Sequence, residues 1–124
     1  MPEAMPRIIV VEDDASMSRA IARILRAGGF EVVMFSSAEA ALEDETVVTA
    51  GCLVLDIHLP GMSGFDLYRR LTQSGGTPPV IFITAHDEPA VREEAERMGA
   101  SCYLPKPFSG RALLKAVTQA LRPD

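Results

Sequence analysis

Acids at 12–14, a lone acid at 56, a threonine at 84 and a lysine at 106 are the residues of this chain best placed for chemistry. Each comes at or just after the end of a short apolar run. Cys52-Leu53-Val54-Leu55 stops at Asp56, and a Pro60-Gly61 turn follows at once. Arg7-Ile8-Ile9-Val10-Val11 leads into Glu12-Asp13-Asp14, Val80-Ile81-Phe82-Ile83 into Thr84, and Cys102-Tyr103-Leu104 into Pro105-Lys106. Runs of this length bounded by turn signals read as strands buried on both faces, the signature of a parallel sheet. Open parallel sheets bind ligands at the carboxyl ends of their strands, so all these groups are expected at one edge. Three carboxylates crowded there repel one another, and a hard divalent cation relieves that repulsion. Mg2+ suits the site, with Mn2+ as the alternative, because it accepts few protein oxygens and keeps several waters. A half-filled shell invites a phosphoryl oxygen; Lys106 can neutralise a second one, Thr84 can donate its hydroxyl, and Asp56 can attack phosphorus to form an acyl phosphate.

Taken singly, each residue has a plainer reading. Asp56 could end a strand as a turn former, Asp14 could complement a helix dipole, and Thr84 and Lys106 could be surface residues. Only their shared strand-end position raises them above that.

Helices must separate the strands. From Met17, apolar residues recur at Ile21, Ile24 and Leu25 until Gly28-Gly29 stops the first helix. Glu31–Phe35 reads as the second strand, and Ser36-Ser37-Ala38-Glu39 as a capping box opening a short helix to about Glu45. Phe65, Leu67, Tyr68 and Leu71 mark a third helix that frays at Ser74-Gly75-Gly76. Asp87 is the expected cap of a fourth, with Pro89 in its first turn and Val91, Ala95 and Met98 facing inward. Ser101–Leu104 forms the fifth strand, and Ser109 caps a last helix whose Leu113, Val117, Ala120 and Leu121 face the core. The expectation is an α/β domain, a doubly wound five-stranded parallel sheet with five helices, spanning 1–124 with tails at 1–6 and 123–124.

The 124 residues, 48% hydrophobic and 23% charged, suffice for one core and not for two. A formal net charge of -5 argues against direct nucleic-acid binding by this domain. Cys52 and Cys102 match neither a zinc nor a redox spacing and read as buried free thiols. With no leader-like start and no run of membrane length, a cytoplasmic protein without membrane contact is expected.

Four segments together resemble the receiver domains of two-component response regulators, over essentially the whole chain: Val10-Val11-Glu12-Asp13-Asp14, Leu55 through Gly64, Ile83-Thr84-Ala85 and Lys106-Pro107-Phe108. The wording from Cys52 to Arg70 is most similar to receivers of the nitrogen-fixation and nodulation type. The resemblance implies a flavodoxin-like strand order 2-1-3-4-5 and a phosphoacceptor, Asp56, charged by a histidine kinase. It implies that Asp13, Asp56 and the carbonyl of His58 hold Mg2+, with Glu12 acting through water. Thr84 and Tyr103 would be the switch pair, and the Lys106-Pro107 bond would be cis. Such a domain catalyses only its own phosphorylation and dephosphorylation, and changes its helix 4, strand 5 and helix 5 face to control a partner or a DNA-binding effector domain. A phosphorylation-driven homodimer is an open alternative, as is a stand-alone receiver. The chain departs from the common pattern at Glu12, where Asp is more frequent, at Pro105, and at His58 and His86, positions that tune phosphoryl lifetime in this family. Two rivals remain: a Mg2+-dependent phosphohydrolase, which wants an acid where His58 stands, and a phosphate-independent interaction module.

Overall fold

The computed structural model describes residues 5–73 and 75–122. Its order is β1 (Arg7–Val11), α1 (Ala15–Ala27), β2 (Glu31–Phe35), α2 (Ala38–Leu42), a 3-10 turn (Val47–Thr49), β3 (Cys52–Asp56), α3 (Gly64–Thr72), β4 (Val80–Thr84), α4 (Pro89–Arg97), β5 (Cys102–Pro105) and α5 (Gly110–Leu121). The strands form one parallel sheet in the order β2-β1-β3-β4-β5, the order the resemblance implied. Among the described residues no helix is long and apolar enough to cross a membrane.

The continuous apolar strands are explained by what covers them. Alternate residues of the three central strands point to opposite faces, and both faces are packed. Ile9, Val11, Leu53, Leu55 and Phe82 meet Ala38, Leu67, Tyr68, Leu71 and Ala95 from α2, α3 and α4. Ile8, Val10, Val54, Ile81 and Ile83 meet Ile21, Leu25, Leu113 and Val117 from α1 and α5. Each large side chain buried this way contributes about 1.5–3 kcal/mol, so β1, β3 and β4 are a rigid base for whatever stands at their ends.

Helix starts follow cap chemistry. The side chains of Asp14, Ser37, Ser63 and Ser109 accept from the amides of Met17, Ala40, Asp66 and Ala112. Each relieves a free amide, worth about 1 kcal/mol. Three expectations need correction. The cap of α4 is Glu88, which makes no side-chain cap bond, because the carboxylate of Asp87 is taken by the hydroxyl of Tyr103 at 3.0 Å. No capping box forms at α2: Glu39 Oε2 accepts instead from the amide of Met62 at 2.9 Å, 23 residues away. That helix also ends early, at Leu42, before the 3-10 turn.

Cys52 is buried, and burial pushes its thiol up to about 12, whereas Cys102 is only half-buried. The expected fraying of α3 at Ser74, and the tails at 1–4 and 123–124, lie outside the described residues. Pro6 is anchored, its carbonyl accepting from the amide of Glu31.

Candidate functional site

Because β1, β3, β4 and β5 run parallel, their carboxyl ends deliver Glu12-Asp13, Asp56, Thr84 and Lys106 to one edge. Glu12, Asp56 and Thr84 are 2%, 4% and 0% exposed, the buried polar residues among those described apart from Ser18, while Asp13 faces solvent. One carboxylate oxygen from each of Glu12, Asp13 and Asp56 lies within 4.8 Å of the others. Three converging carboxylate oxygens are a donor set that a hard cation can use.

Lys106 reaches in from the end of β5. Its Nζ donates to Glu12 Oε1 at 2.8 Å and to Asp56 Oδ2 at 3.3 Å. Burial pushes the Glu12 carboxyl up to about 7, against the opposing hydrogen bonds from Lys106 and the Asp14 amide. Burial alone would lower the Lys106 ammonium, but its bond to Glu12 and the charge of Asp56 outweigh that and raise it. The lysine is therefore held as a cation facing both acids. The Lys106-Pro107 peptide bond is cis.

The loops after β3 and β4 are each tied back to the side chain at the end of the strand. Asp56 Oδ1 accepts from the amide of His58 at 3.1 Å, and Thr84 Oγ1 accepts from the amide of His86 at 2.9 Å. Accepting leaves the Thr84 hydroxyl hydrogen free to be donated elsewhere. Tyr103 is not drawn into this cluster. Its hydroxyl donates to Asp87 Oδ1, and the guanidinium of Arg92 sits 4.5 Å from its ring centroid.

Two positioning contacts had no clear sequence signal. Gly64, the first residue of α3, lies so close to β3 that a Cβ there would overlap the carbonyl oxygen of Asp56. Its place directly after the Ser63 cap, where glycine is not needed for a cap, was the available hint. Glu39 holds the Gly61-Met62 turn through the Met62 amide, a bond no local spacing announces. A groove of about 720 Å3 between α1 and α5, lined by Ile24, Ala27, Leu114 and Lys115, contains none of the site residues.

Comparison with known proteins agrees with this geometry. The family model described as the response regulator receiver domain matches residues 8–118. The chain is 41% identical over 117 residues to nodulation protein W of Bradyrhizobium diazoefficiens, covering 94% of this chain and 52% of that protein. It is 35% identical over 121 residues to the transcriptional regulatory protein FixJ of Azorhizobium caulinodans, covering 98% and 57%. Among solved structures, the response regulator StyR superposes with a TM-score of 0.86 at 43% identity, covering 95% of this chain and 60% of that one. The chain thus spans little more than half the length of the curated relatives it matches, and nodulation protein W and FixJ are among them, in line with the resemblance read in residues 52–70. With its fold, its acid cluster and this match over nearly its whole length, the chain belongs to the receiver domain family of two-component response regulators.

Proposed function

We propose that Asp56 accepts a phosphoryl group from the phosphohistidine of a sensor histidine kinase, and that the acid cluster assists as a Mg2+ site. The observation that carries this reading is the contact of Lys106 Nζ with both Glu12 Oε1 and Asp56 Oδ2 beside three converging carboxylates. The donor set is oxygen only, which fits Mg2+ or Mn2+ and not a softer ion. Asp13, Asp56 and the main-chain carbonyl of His58 would hold the ion, with Glu12 acting through water. Bound there, it would supply positive charge to the phosphoryl oxygens during transfer.

The chain's own residues do the rest. A carboxylate oxygen of Asp56 attacks phosphorus, its O–P bond forms, the donor's N–P bond breaks, and the imidazole leaves with the bonding pair. Lys106 stays as the cation for a phosphoryl oxygen, released in part from Glu12. Thr84 turns its free hydroxyl hydrogen to another oxygen while still accepting from His86. Hydrolysis later breaks the O–P bond by attack of water on phosphorus and restores Asp56. The domain so catalyses only its own phosphorylation and dephosphorylation.

Output follows from Thr84 and Tyr103. Movement of the Thr84 hydroxyl opens space toward β5; Tyr103 leaves Asp87 and Arg92 and turns inward, and the α4, β5 and α5 face changes. That face would regulate an effector domain, a partner or a second copy, with no nucleic-acid contact by this domain itself. His58 and His86, beside the two reactive side chains, set how long the phosphoryl group survives.

Acetyl phosphate with Mg2+ should yield an acid-stable, base-labile adduct that Asp56→Asn abolishes. An adduct persisting in that variant, or none in the unaltered protein, overturns the assignment. Turnover of external phosphoesters would instead favour a phosphohydrolase.

A further inference from the structure

The chain has two histidines, and the fold brings them together. His58 follows β3 and His86 follows β4, neighbouring strands paired through Asp56 and Ile83. Their ring centroids are 4.7 Å apart, edge to face at 84°. Both residues are exposed. Both backbones are held by the same device, an amide bonded to the side chain two residues earlier. The two rings therefore stand on matched, fixed supports.

We propose that His58 and His86 form a second metal site, for a borderline divalent ion such as Zn2+, at the rim of the phosphoacceptor pocket. Ring centroids 4.7 Å apart are close enough for one nitrogen of each imidazole to serve a common ion at the roughly 2.0–2.1 Å of a Zn–N bond once the side chains rotate. Imidazole nitrogen selects Zn2+, Ni2+ or Cu2+, whereas the neighbouring all-carboxylate cluster selects Mg2+. Softness of the ligand separates the two sites although His58 and Asp56 touch through their own loop. Water completes the coordination, so the site is open and its ion exchanges. Mutual packing of two solvent-exposed rings is a weak attraction; a shared ligand role gives the pair a further reason to meet.

The consequence rests on the phosphoacceptor reading. An ion spanning the two rings bridges the loops that follow Asp56 and Thr84, narrows the approach of a phosphodonor and slows phosphorylation. Metal availability would then act as a second input to the same switch.

The test titrates Zn2+ into the protein held at saturating Mg2+, by calorimetry and by NMR of the imidazole nitrogens. One equivalent should bind, the signals of both rings should shift together, and His58→Gln and His86→Gln should each lower the affinity by at least about tenfold. Equal affinity in the variants, or binding that vanishes as Mg2+ is raised, overturns the site, the latter by assigning Zn2+ to the acids. In a second arm, Zn2+ should slow adduct formation from acetyl phosphate in the unaltered protein and not in His86→Gln. An unchanged rate with Zn2+ bound overturns the inhibitory role. If no adduct forms even without Zn2+, the phosphoacceptor reading fails while the calorimetric arm still decides the site.

Discussion

Replacing Lys106 by Met keeps an apolar stem of similar length and removes the one cation that, among the described residues, is bonded to the acid cluster. In the folded protein that ammonium touches Glu12 and Asp56, whose side chains are 1% and 6% exposed, and is itself 14% exposed. Its loss leaves two nearly buried carboxylates facing each other. Removing one partner of a buried ion pair costs roughly 3–5 kcal/mol. Here the exposed Asp13 opens the cluster to water, and Glu12, already raised to about 7, can take up a proton. We therefore expect a loss of roughly 2–3 kcal/mol in metal-free buffer. With a urea dependence of about 1–3 kcal/mol per molar, that moves the unfolding midpoint down by about 0.7–3 M. The diagnostic comparison is the cycle with Glu12→Gln. The double variant has no unpaired charge at position 12 and should recover more than half of the loss. Additivity of the two single changes within about 0.5 kcal/mol would mean that Lys106 and Glu12 are energetically independent, and the description of the cluster as one charge-balanced unit would fall.

Three further outcomes are expected. Asp13→Asn removes one of three mutually repelling acids, so it should stabilise the metal-free protein and abolish the rise in Tm that Mg2+ causes. At a hundredfold excess over Kd that rise corresponds to about 2.7 kcal/mol, and an equal rise in the variant would exclude Asp13 as a ligand. Gly64→Ala should cost about 1–3 kcal/mol and slow adduct formation, since the new Cβ must push the Asp56 carbonyl away; an unchanged urea midpoint and rate would show that α3 yields freely. Glu39→Gln should speed hydrogen exchange at the Met62 amide. The Met62 amide bond holds the Glu39 carboxyl below its ordinary 4.5, so the contact is complete above that value and lost as pH falls through the lowered one. Met62 protection should follow the same course, and exchange that is insensitive to both the variant and acid would refute the contact.

Most of the fold was readable because the informative signals are local. A five-residue strand buried on both faces has to be apolar throughout, and a serine or aspartate before a helix has to answer a free amide. The carboxyl-end placement of Glu12, Asp13, Asp56, Thr84 and Lys106 then followed from parallel topology alone. What escaped depends on contacts between residues distant in sequence. Asp87 looked like a cap, and only the approach of Tyr103 from β5 explains why its carboxylate points elsewhere. Glu39 had the spacing of a capping-box acid, but the turn after β3 offers its amide nearby and wins. The meeting of His58 and His86 was equally hidden, since two exposed loop histidines 28 positions apart carry no common pattern until the β3–β4 register is known.

The strand order also decides where the sheet is vulnerable to other chains. β2 and β5 are its outer strands, each with one side of its backbone unpaired. Along β5 the amide of Lys106 bonds inward to the carbonyl of Thr84. Alternation along a strand therefore turns the nitrogen of Pro105, one residue earlier, outward, where proline has no hydrogen to offer. The free border of a four-residue strand thus loses a donor at the point nearest Lys106. A border interrupted in this way is a poor template for strand addition, which protects this edge of the sheet against extension by other chains.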